Sequence, residues 1–312
     1  MTELLYGIAV APFKDMAGSP AFFAEVLIGG VFAGLMYSLV ALGFVLIFKA
    51  SGVFNFAQGA MVLFAALTLV GLIERGVPVA LALVLTTAVM VALAWVIERV
   101  VLRPLVNQEH IILFMATIGL TFFLEGFGEM VWGANVKKLD IGIPDRSFIV
   151  AGIQINQLEL SAAVTSAVLV AVLAVFFQRT RIGRALRAVA DDHEAALSIG
   201  IPLKTIWMIV WSVAGIVAIV AGIMWGAKSG VQFSLSLIAL KSLPVLILGG
   251  FTSVPGAIVG GLIIGVGEKM GEVYWGPLVG GAIENWFAYV LALAFLLFRP
   301  QGLFGEKIIE RV

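Results

Sequence analysis

Residues 22–48 read FFAEVLIGGVFAGLMYSLVALGFVLIF, and Glu25 is the one charged residue in this run. About 20 consecutive apolar residues in a helix are enough to cross the hydrocarbon core of a bilayer. The rest of the chain has a similar composition, because 62% of all 312 residues are hydrophobic and only 12% are charged. A soluble protein of this size could not bury so much apolar surface. The sequence therefore predicts an all-α polytopic membrane protein.

Further apolar runs follow the first one along the chain. They lie near 54–73, 79–97, 111–131, 159–178, 205–227, 233–250, 255–273 and 281–298. The run at 233–250 is short and contains Lys241 and Pro244, and the run at 54–73 begins with polar residues. Such interruptions are typical of broken or re-entrant helices. We therefore expect about nine transmembrane spans, with roughly eight to ten compatible with the runs.

Lysine and arginine set the predicted orientation, because cytoplasmic loops of membrane proteins are enriched in both residues. The loop 179–204 carries four arginines and Lys204, and basic residues also follow the third and the last run. If every run crosses the membrane, all three places fall on the same side. The N-terminus then lies outside and the C-terminus lies in the cytoplasm.

These features divide the chain into three parts. The parts are an N-terminal periplasmic segment (1–21), a transmembrane domain (22–298) with a periplasmic loop (132–158) and a cytoplasmic loop (179–204), and a cytoplasmic tail (299–312). Within the periplasmic loop, two β-prone stretches flank Ala151-Gly152 and predict a small hairpin over 147–156. This hairpin either caps the helices or offers a surface to another protein.

The cytoplasmic loop predicts two short helices, near 184–190 and over 193–199. An ordinary positively charged loop at the membrane surface explains its basic residues. Clear start and stop signals instead favour a compact docking element for a partner protein. These signals are an N-cap at Asp191 or Asp192, a stop at Gly200 and Pro202 after it.

Four blocks of residues occur in a characteristic order. They are 37–43 with 52–59, 183–188 with Asp191, 240–241 with 249–250 and 255–261, and 298–305. In these blocks the chain resembles the LivH-type permeases of branched-chain amino-acid ABC transporters, over nearly its whole length. The string Glu194-Ala195-Ala196, with Gly200 four residues after the second alanine, also resembles the Glu-Ala-Ala-x-x-x-Gly pattern of ABC importer permeases.

The resemblance implies a permease subunit of an ABC importer in the bacterial inner membrane. Such a subunit pairs with a second, related permease. Two ATP-binding subunits attach on the cytoplasmic side, and a periplasmic solute-binding protein delivers the solute. The solutes of the family include branched-chain amino acids, urea, amides and organic acids. The residues that would couple this chain to the ATPase are Gly183, Arg184, Arg187, Asp191, Glu194, Ala195, Ala196 and Gly200.

The chain lacks the sequence patterns of an enzyme. It has no Gly-x-x-x-x-Gly-Lys-[Ser/Thr] loop, which holds the phosphates of ATP, and no His-Glu-x-x-His zinc motif. We therefore expect no cofactor or metal in this chain, with ATP and Mg²⁺ bound by the partner ATPase subunits. The formal net charge of zero gives no basic field for nucleic acid. The apolar surface instead predicts membrane lipid as a partner.

The alternative is a self-sufficient secondary transporter or channel for small solutes. Such proteins often carry a carboxylate inside a span, where it couples transport to protons or sodium. Glu125 and Glu268 lie near the ends of their apolar runs. The sequence therefore offers no clear central carboxylate for this alternative.

Polar residues within the apolar runs are candidates for the translocation path. They are Tyr37, Ser38, Asn55, Gln58, Thr117, Thr121 and Lys241. Asn55 and Gln58 are three residues apart, which predicts that they share one helical face. Hydrogen bonding between helices is the alternative role for these groups. A charge is costly at membrane depth, so Lys241 either extends to the membrane surface or pairs with Glu268, Glu125, a helix C-terminus or a solute carboxylate.

Overall fold

The computed structural model describes residue 6 and residues 8–105, 108–191 and 193–305, excluding the side chains of His110, His193 and Glu194. Within this part of the chain, six helices are long and apolar enough to cross a membrane. They are Pro20–Ser51, Val79–Leu105, Ile111–Trp132, Gln157–Arg179, Leu203–Ser229 and Val254–Val279. The other apolar runs form the shorter segments Gln58–Glu74, Phe233–Gly249 and Phe287–Phe298. An all-α polytopic membrane protein is confirmed, whereas the number of spans stays a prediction.

The first part of the chain forms a long helix and the helices around it. These are α1 (Ala11–Gly18), α2 (Pro20–Ser51), α3 (Gln58–Glu74), α4 (Val79–Val96) and α5 (His110–Trp132). A π-helical segment (Ile97–Leu102) and a 3₁₀ turn (Arg103–Leu105) continue α4. The strands β1 (Ser147–Val150) and β2 (Ile153–Asn156) follow α5.

The second part of the chain begins with α6 (Gln157–Arg179) and ends with α14 (Phe287–Phe298). Between them lie α7 (Arg181–Asp191), α8 (His193–Ser198), α9 (Leu203–Ser229), α10 (Ile238–Lys241), α11 (Leu243–Gly249), α12 (Val254–Met270) and α13 (Gly276–Val279). A π-helical segment (Gly271–Trp275) joins α12 to α13. Short 3₁₀ turns precede α10 (Phe233–Leu235) and α14 (Ile283–Asn285).

Local sequence fixes where several helices begin and end. Asn156 caps α6 by accepting the N–H of Glu159 at 3.0 Å, and Ser253 caps α12 by accepting the N–H of Gly256 at 3.0 Å. The long helix α2 ends at Gly52, whose φ of +67° is left-handed and suits glycine. Because of these caps, the helix ends lie within a few residues of the ends of the predicted apolar runs.

Glycines bring α2 and α12 into backbone contact. A Cβ on Gly34 would lie 2.6 Å from the carbonyl oxygen of Gly261, and one on Gly265 would lie 2.3 Å from the amide nitrogen of Gly34. Gly30 lies one turn before Gly34, so both face the same way. Gly261 lies one turn before Gly265 in the same manner. Small residues at this spacing allow two membrane helices to approach closely, and here nothing larger fits.

Two apolar segments are interrupted rather than continuous. Residues 233–249 form a 3₁₀ turn, α10 and α11 instead of one helix. Pro244 lies in the first turn of α11, where its missing N–H is tolerated. The second interruption, residues 52–57, is an irregular turn in which Asn55 and Ala57 are fully buried. The helix α3 therefore begins inside the bundle rather than at its surface.

The bundle has two distinct ends. At one end, which contains the loop 179–204 and is called the basic end below, the indole of Trp207 donates to the carbonyl of Ala50 at 2.9 Å. At the opposite end, Lys228 pairs with Glu159 at 2.7 Å. The helices α2 and α6 thus run towards the basic end, and α9 runs away from it.

The hairpin of β1 and β2 lies at the opposite end, where the sequence predicted a hairpin. Its turn residues Ala151 and Gly152 both have positive φ, as two-residue hairpin turns require. The N–H of Gln154 donates to the carboxylate of Glu25 on α2 at 3.2 Å. Every residue of β1 is exposed, while most of β2 is half-buried. The hairpin therefore rests on the bundle through β2 and presents β1 outwards.

The N-terminal helix α1 also lies at the opposite end. The indole of Trp275 donates to the carbonyl of Ile8 at 3.0 Å, and its ring meets Phe13 edge-on with centroids 5.8 Å apart. These contacts hold α1 against the π-helical segment that follows α12. Residues 1–5 and 7 of the predicted N-terminal segment lie outside the described residues.

The residues that follow α14 fold back onto the basic end. The N–H of Leu303 donates to the carbonyl of Leu248 at 2.8 Å, and the N–H of Phe304 donates to that of Gly249 at 3.1 Å. Both carbonyls belong to the last turn of α11, which has no helical partners for them. The described part of the predicted tail is therefore anchored to α11, and residues 306–312 lie outside the described residues.

Candidate functional site

A cluster of charged side chains lies inside the bundle. Lys241 Nζ lies 3.4 Å from Glu268 Oε1, and the hydroxyl of Tyr37 donates to the same oxygen at 3.2 Å. Glu284 Oε1 lies 3.9 Å from Lys241 Nζ. We call these four residues the Lys241 cluster. Two of the path candidates, Tyr37 and Lys241, thus contact the same carboxylate. This carboxylate belongs to Glu268, one of the predicted partners of Lys241.

The Lys241 cluster is buried on one side and open on the other. The side chain of Glu268 is 7% exposed, whereas those of Lys241 and Glu284 are 32% and 49% exposed. A carboxylate as buried as Glu268 would carry a large desolvation cost without an opposite charge. Because one lysine faces two glutamates, the ionised cluster has an excess of negative charge. The edge formed by Lys241 and Glu284 is therefore the exposed side of the cluster.

The position of Glu268 corrects one prediction from the sequence. The sequence places Glu268 near the end of its apolar run, which extends over 255–273. The helical rod instead continues through the π-helical segment to Val279. At about 1.5 Å per residue, Glu268 lies about 21 Å along this rod from Val254. Glu268 is therefore buried well inside a helix that is long and apolar enough to cross a membrane.

The break between α10 and α11 places Lys241 within reach of Glu268. Pro244 has no N–H for the carbonyl of Leu240, which a continuous helix would have bonded. The hydroxyl of Tyr289 on α14 donates to this carbonyl at 2.8 Å and replaces the missing donor. Lys241 is the last residue of α10, so its position depends on this interruption.

A second polar cluster surrounds the turn between α2 and α3. Asn55 Oδ1 accepts the N–H of Ala57 at 3.1 Å, and Asn55 Nδ2 donates to Gln58 Oε1 at 3.5 Å. Gln58 Nε2 donates to the carbonyl of Ala214 in α9 at 3.4 Å. The prediction of a shared helical face is wrong, because α3 begins at Gln58 and Asn55 lies in the turn before it. The two amides meet nevertheless, and both are fully buried.

Thr117 connects α5 to the same turn. Its hydroxyl accepts the N–H of Phe56 at 3.1 Å and donates to the carbonyl of Phe114 at 2.8 Å. Thr121, one turn further along α5, donates to the carbonyl of Thr117 at 2.9 Å. Ser38 lies apart from both clusters, fully buried at the contact between α2 and α12. These hydroxyls therefore bond to backbone groups within the chain.

The path candidates thus occupy three separate places in the bundle. All of them except Lys241 are buried within the chain. Hydrogen bonding between elements is the role that the geometry shows for Gln58 and Thr117. That these residues line a solute path stays a prediction, and Lys241 is the candidate with direct access from outside the bundle.

At the basic end, α7 is fastened to the end of α6. Arg187 Nη1 donates to the carbonyl of Phe177 at 2.8 Å, and Nη2 donates to that of Gln178 at 3.4 Å. A Cβ on Gly183 would lie 1.8 Å from the carbonyl oxygen of Phe177, so no larger residue fits there. Thr180 Oγ1 accepts the N–H of Gly183 at 3.2 Å, which starts α7 about one turn earlier than predicted.

The short helix α8 and the residue that follows it carry exposed apolar side chains. Leu197 is 52% exposed and Ile199 is 73% exposed, whereas Ala196 is buried. Gly200 has a φ of +83°, and its N–H donates to the carbonyl of Leu197 at 3.0 Å, as in a glycine-terminated helix. The predicted helix stop at Gly200 is confirmed. Leu197 and Ile199 are not among the predicted site residues. Two apolar residues next to a helix stop in a basic loop would have indicated a surface that binds another protein.

The remaining coupling candidates lie on the same helix pair. Arg184 and Asp191 are exposed on α7, and Ala195 is exposed on α8. Asp191 is the last residue of α7. The side chain of Glu194 and all of Asp192 lie outside the described part of the chain. The two helices therefore present one exposed surface at the basic end.

Broken membrane helices with polar groups near the breaks are typical of transport proteins. The sequence agrees with this class. The chain belongs to the family described as the permease component of the branched-chain amino acid transport system, whose pattern matches residues 26–299.

Relatives in several organisms support this assignment. The high-affinity branched-chain amino acid transport system permease protein LivH of Salmonella typhimurium is 27% identical over 310 residues, which covers 93% of this chain and 98% of LivH. The corresponding permease protein BraD of Pseudomonas aeruginosa is 28% identical over 306 residues, with the same coverage. The fructose import permease protein FruG of Bifidobacterium longum is 25% identical over 264 residues, covering 80% and 74%. These relatives are transport permeases rather than enzymes.

Proposed function

We propose that this chain is one permease subunit of an ATP-driven importer in the bacterial inner membrane. The observation that carries the proposal is the helix pair α7–α8. Leu197 and Ile199 are exposed there, outside the apolar spans, although apolar side chains at such a place favour burial against another protein. Membership of a family of transport permease components supports the same conclusion.

The partner on this helix pair is an ATPase subunit. The basic charge of the loop 179–204 favours a cytoplasmic location for this surface, where ATP and Mg²⁺ are available to the partner. Movement of the pair would pass directly to α6, because Gly183 and Arg187 fasten α7 to its end. We expect two ATP-binding subunits, a second related permease and a periplasmic solute-binding protein in the complete importer.

The solute path runs past the open edge of the Lys241 cluster. Lys241 and Glu284 present an ammonium and a carboxylate 3.9 Å apart. This pair complements the carboxylate and ammonium of a zwitterionic amino acid better than it complements urea, an amide or an organic acid. The names of the relatives LivH and BraD also refer to branched-chain amino acids, whereas FruG is named for fructose. We therefore propose branched-chain amino acids as the solutes.

Uptake into proteoliposomes tests the proposed function. The complete importer is reconstituted with ATP inside and with the binding protein and labelled leucine outside. We expect uptake that requires ATP hydrolysis and that isoleucine and valine inhibit. Urea, acetamide and benzoate are expected to have no effect at equal concentration. Absence of leucine uptake, with ATP-dependent uptake of labelled urea, acetamide or benzoate instead, would assign a different solute to the same importer.

A secondary transporter or channel is the second candidate, and Glu268 is the observation that favours it. A carboxylate inside a span is a typical site for coupling to protons or sodium. Its pairing with Lys241 argues against a free coupling group, because the lysine already compensates the charge. Uptake by the chain alone, without ATP and without partners, would establish this second candidate instead.

A further inference from the structure

A cavity of about 250 Å³ lies at the basic end, away from both polar clusters. It is lined by the last turns of α2 and α6, by α7, and by the turn that precedes α12, and it is open on one side. Phe304, from the anchored residues after α14, forms another part of the wall. The cavity therefore lies at the ends of the long helices rather than at their middles.

Two cationic side chains line this cavity. Lys49 Nζ donates to the carbonyl of Thr252 at 3.4 Å, and Arg187 donates to the carbonyls at the end of α6. Neither cation forms an ion pair within the described part of the chain. The lining residues include no aspartate or glutamate. Lys49 and Arg187 thus face the same cavity, and each donates hydrogen bonds only to neutral backbone carbonyls.

The rest of the wall is mainly apolar. Leu46, Phe177 and Val254 line the cavity beside the two cations. A small inorganic anion would match the charges but not these apolar side chains. A phospholipid matches both, because its phosphate is anionic and the glycerol and acyl region next to the phosphate is apolar. Basic pockets between spans on the cytoplasmic side of a membrane are known to hold such headgroups.

We propose that this cavity binds the phosphate group of one anionic phospholipid from the cytoplasmic leaflet, with Lys49 and Arg187 as its ligands. The phosphate oxygens would accept hydrogen bonds from both cations, and the acyl region would lie against Leu46 and Phe177. Arg187 would then have two roles, since it also fastens α7 to α6. This binding site does not depend on the identity of the transported solute.

Native mass spectrometry of the full-length chain in detergent tests the proposal. The chain is equilibrated with equal amounts of phosphatidylglycerol and phosphatidylcholine, and the lipid retained by each chain is counted. We expect preferential retention of phosphatidylglycerol. Lys49→Gln should lower this retention about fivefold, the effect of one basic residue near an anionic membrane surface. Lys49→Arg should keep it, because the charge is preserved.

Two further variants distinguish the cavity from general surface charge. Lys204 is an exposed lysine in the same loop region, so Lys204→Gln removes an equal charge without touching the cavity. It should leave lipid retention unchanged. Ala174 lines the cavity, and Ala174→Phe should fill it and displace the lipid without any change of charge.

Four outcomes would overturn the proposal. The first is equal retention of both lipids, and the second is unchanged retention by Lys49→Gln. The third is displacement of phosphatidylglycerol by glycerol 3-phosphate at equal concentration, which would make the cavity a site for small phosphates. The fourth is loss of the lipid when the ATPase subunits are bound, which would indicate that an acidic side chain of the partner occupies the cavity.

Discussion

Lys241 and Glu268 compensate each other inside the bundle, and the same carboxylate also accepts a hydrogen bond from Tyr37. Removing one member of a buried ion pair leaves an uncompensated charge, which costs more than the intact pair contributes. Replacing both members by neutral groups removes this cost. The behaviour of single and double variants therefore reports whether the pair exists as described.

Lys241→Met is expected to lower the free energy of unfolding by about 2 kcal/mol, less than for a fully buried pair because a third of the lysine is exposed. The double variant Lys241→Met/Glu268→Gln should recover most of this loss. Thermal unfolding of the purified chain in detergent measures both effects. As a control, Lys228→Met breaks the exposed pair with Glu159 and should cost at most about 1 kcal/mol. Equal destabilisation of the single and double variants would contradict the pairing.

At the scale of single residues, the sequence identified polar groups inside apolar runs but not where they meet. Lys241 needed a partner on electrostatic grounds, and Glu268 was one of three possible protein partners. The choice between them depends on how α10 and α11 fold back onto α12, where a Cβ on Gly260 would lie 2.6 Å from the carbonyl oxygen of Val245. Hydropathy carries no information on such pairings. For the same reason, the burial of Asn55 in a turn was not predictable.

At the scale of elements, the contact between α2 and α12 depends on glycine. Gly265→Ala would place a Cβ 2.3 Å from a backbone nitrogen of α2, which only a displacement of one helix can relieve. We expect a loss of about 1–3 kcal/mol of stability. Gly119→Ala on α5 is the matched control, because nothing lies within 4 Å of its added Cβ. This second variant should be neutral or slightly stabilised.

Thermal unfolding of the two glycine variants, purified in parallel, decides this prediction. A similar melting temperature for both would show that α2 and α12 do not pack as closely as described. The readout is independent of transport, so it tests the fold alone.

Most elements follow from local sequence, and the exceptions have local causes. Apolar runs, Pro244 and the stop at Gly200 predicted the helices, the break in span 233–249 and the end of α8. The π-helical segments at 97–102 and 271–275 were not predicted, because they continue a helix past charged residues that lower the hydropathy. The helix α7 begins earlier than the sequence predicts, because Thr180 caps it.

At the scale of the whole molecule, the two ends of the bundle differ in what they present. The basic end carries the helix pair α7–α8 with Ile199 exposed, and the opposite end carries the hairpin with Ile149 exposed. These two isoleucines are 73% and 75% exposed, so they form a matched pair for substitution. An importer subunit should bind its ATPase at the first position and not at the second.

The most direct measurement is affinity purification of the tagged chain from its native membrane in mild detergent, with mass spectrometry of the proteins that accompany it. We expect ATP-binding subunits to co-purify with the unaltered chain and with Ile149→Asp. They should be lost from Ile199→Asp, while the amount of inserted chain stays the same. Recovery of no ATP-binding subunit with the unaltered chain, together with solute movement in vesicles without ATP, would contradict the assignment and favour a secondary transporter or channel.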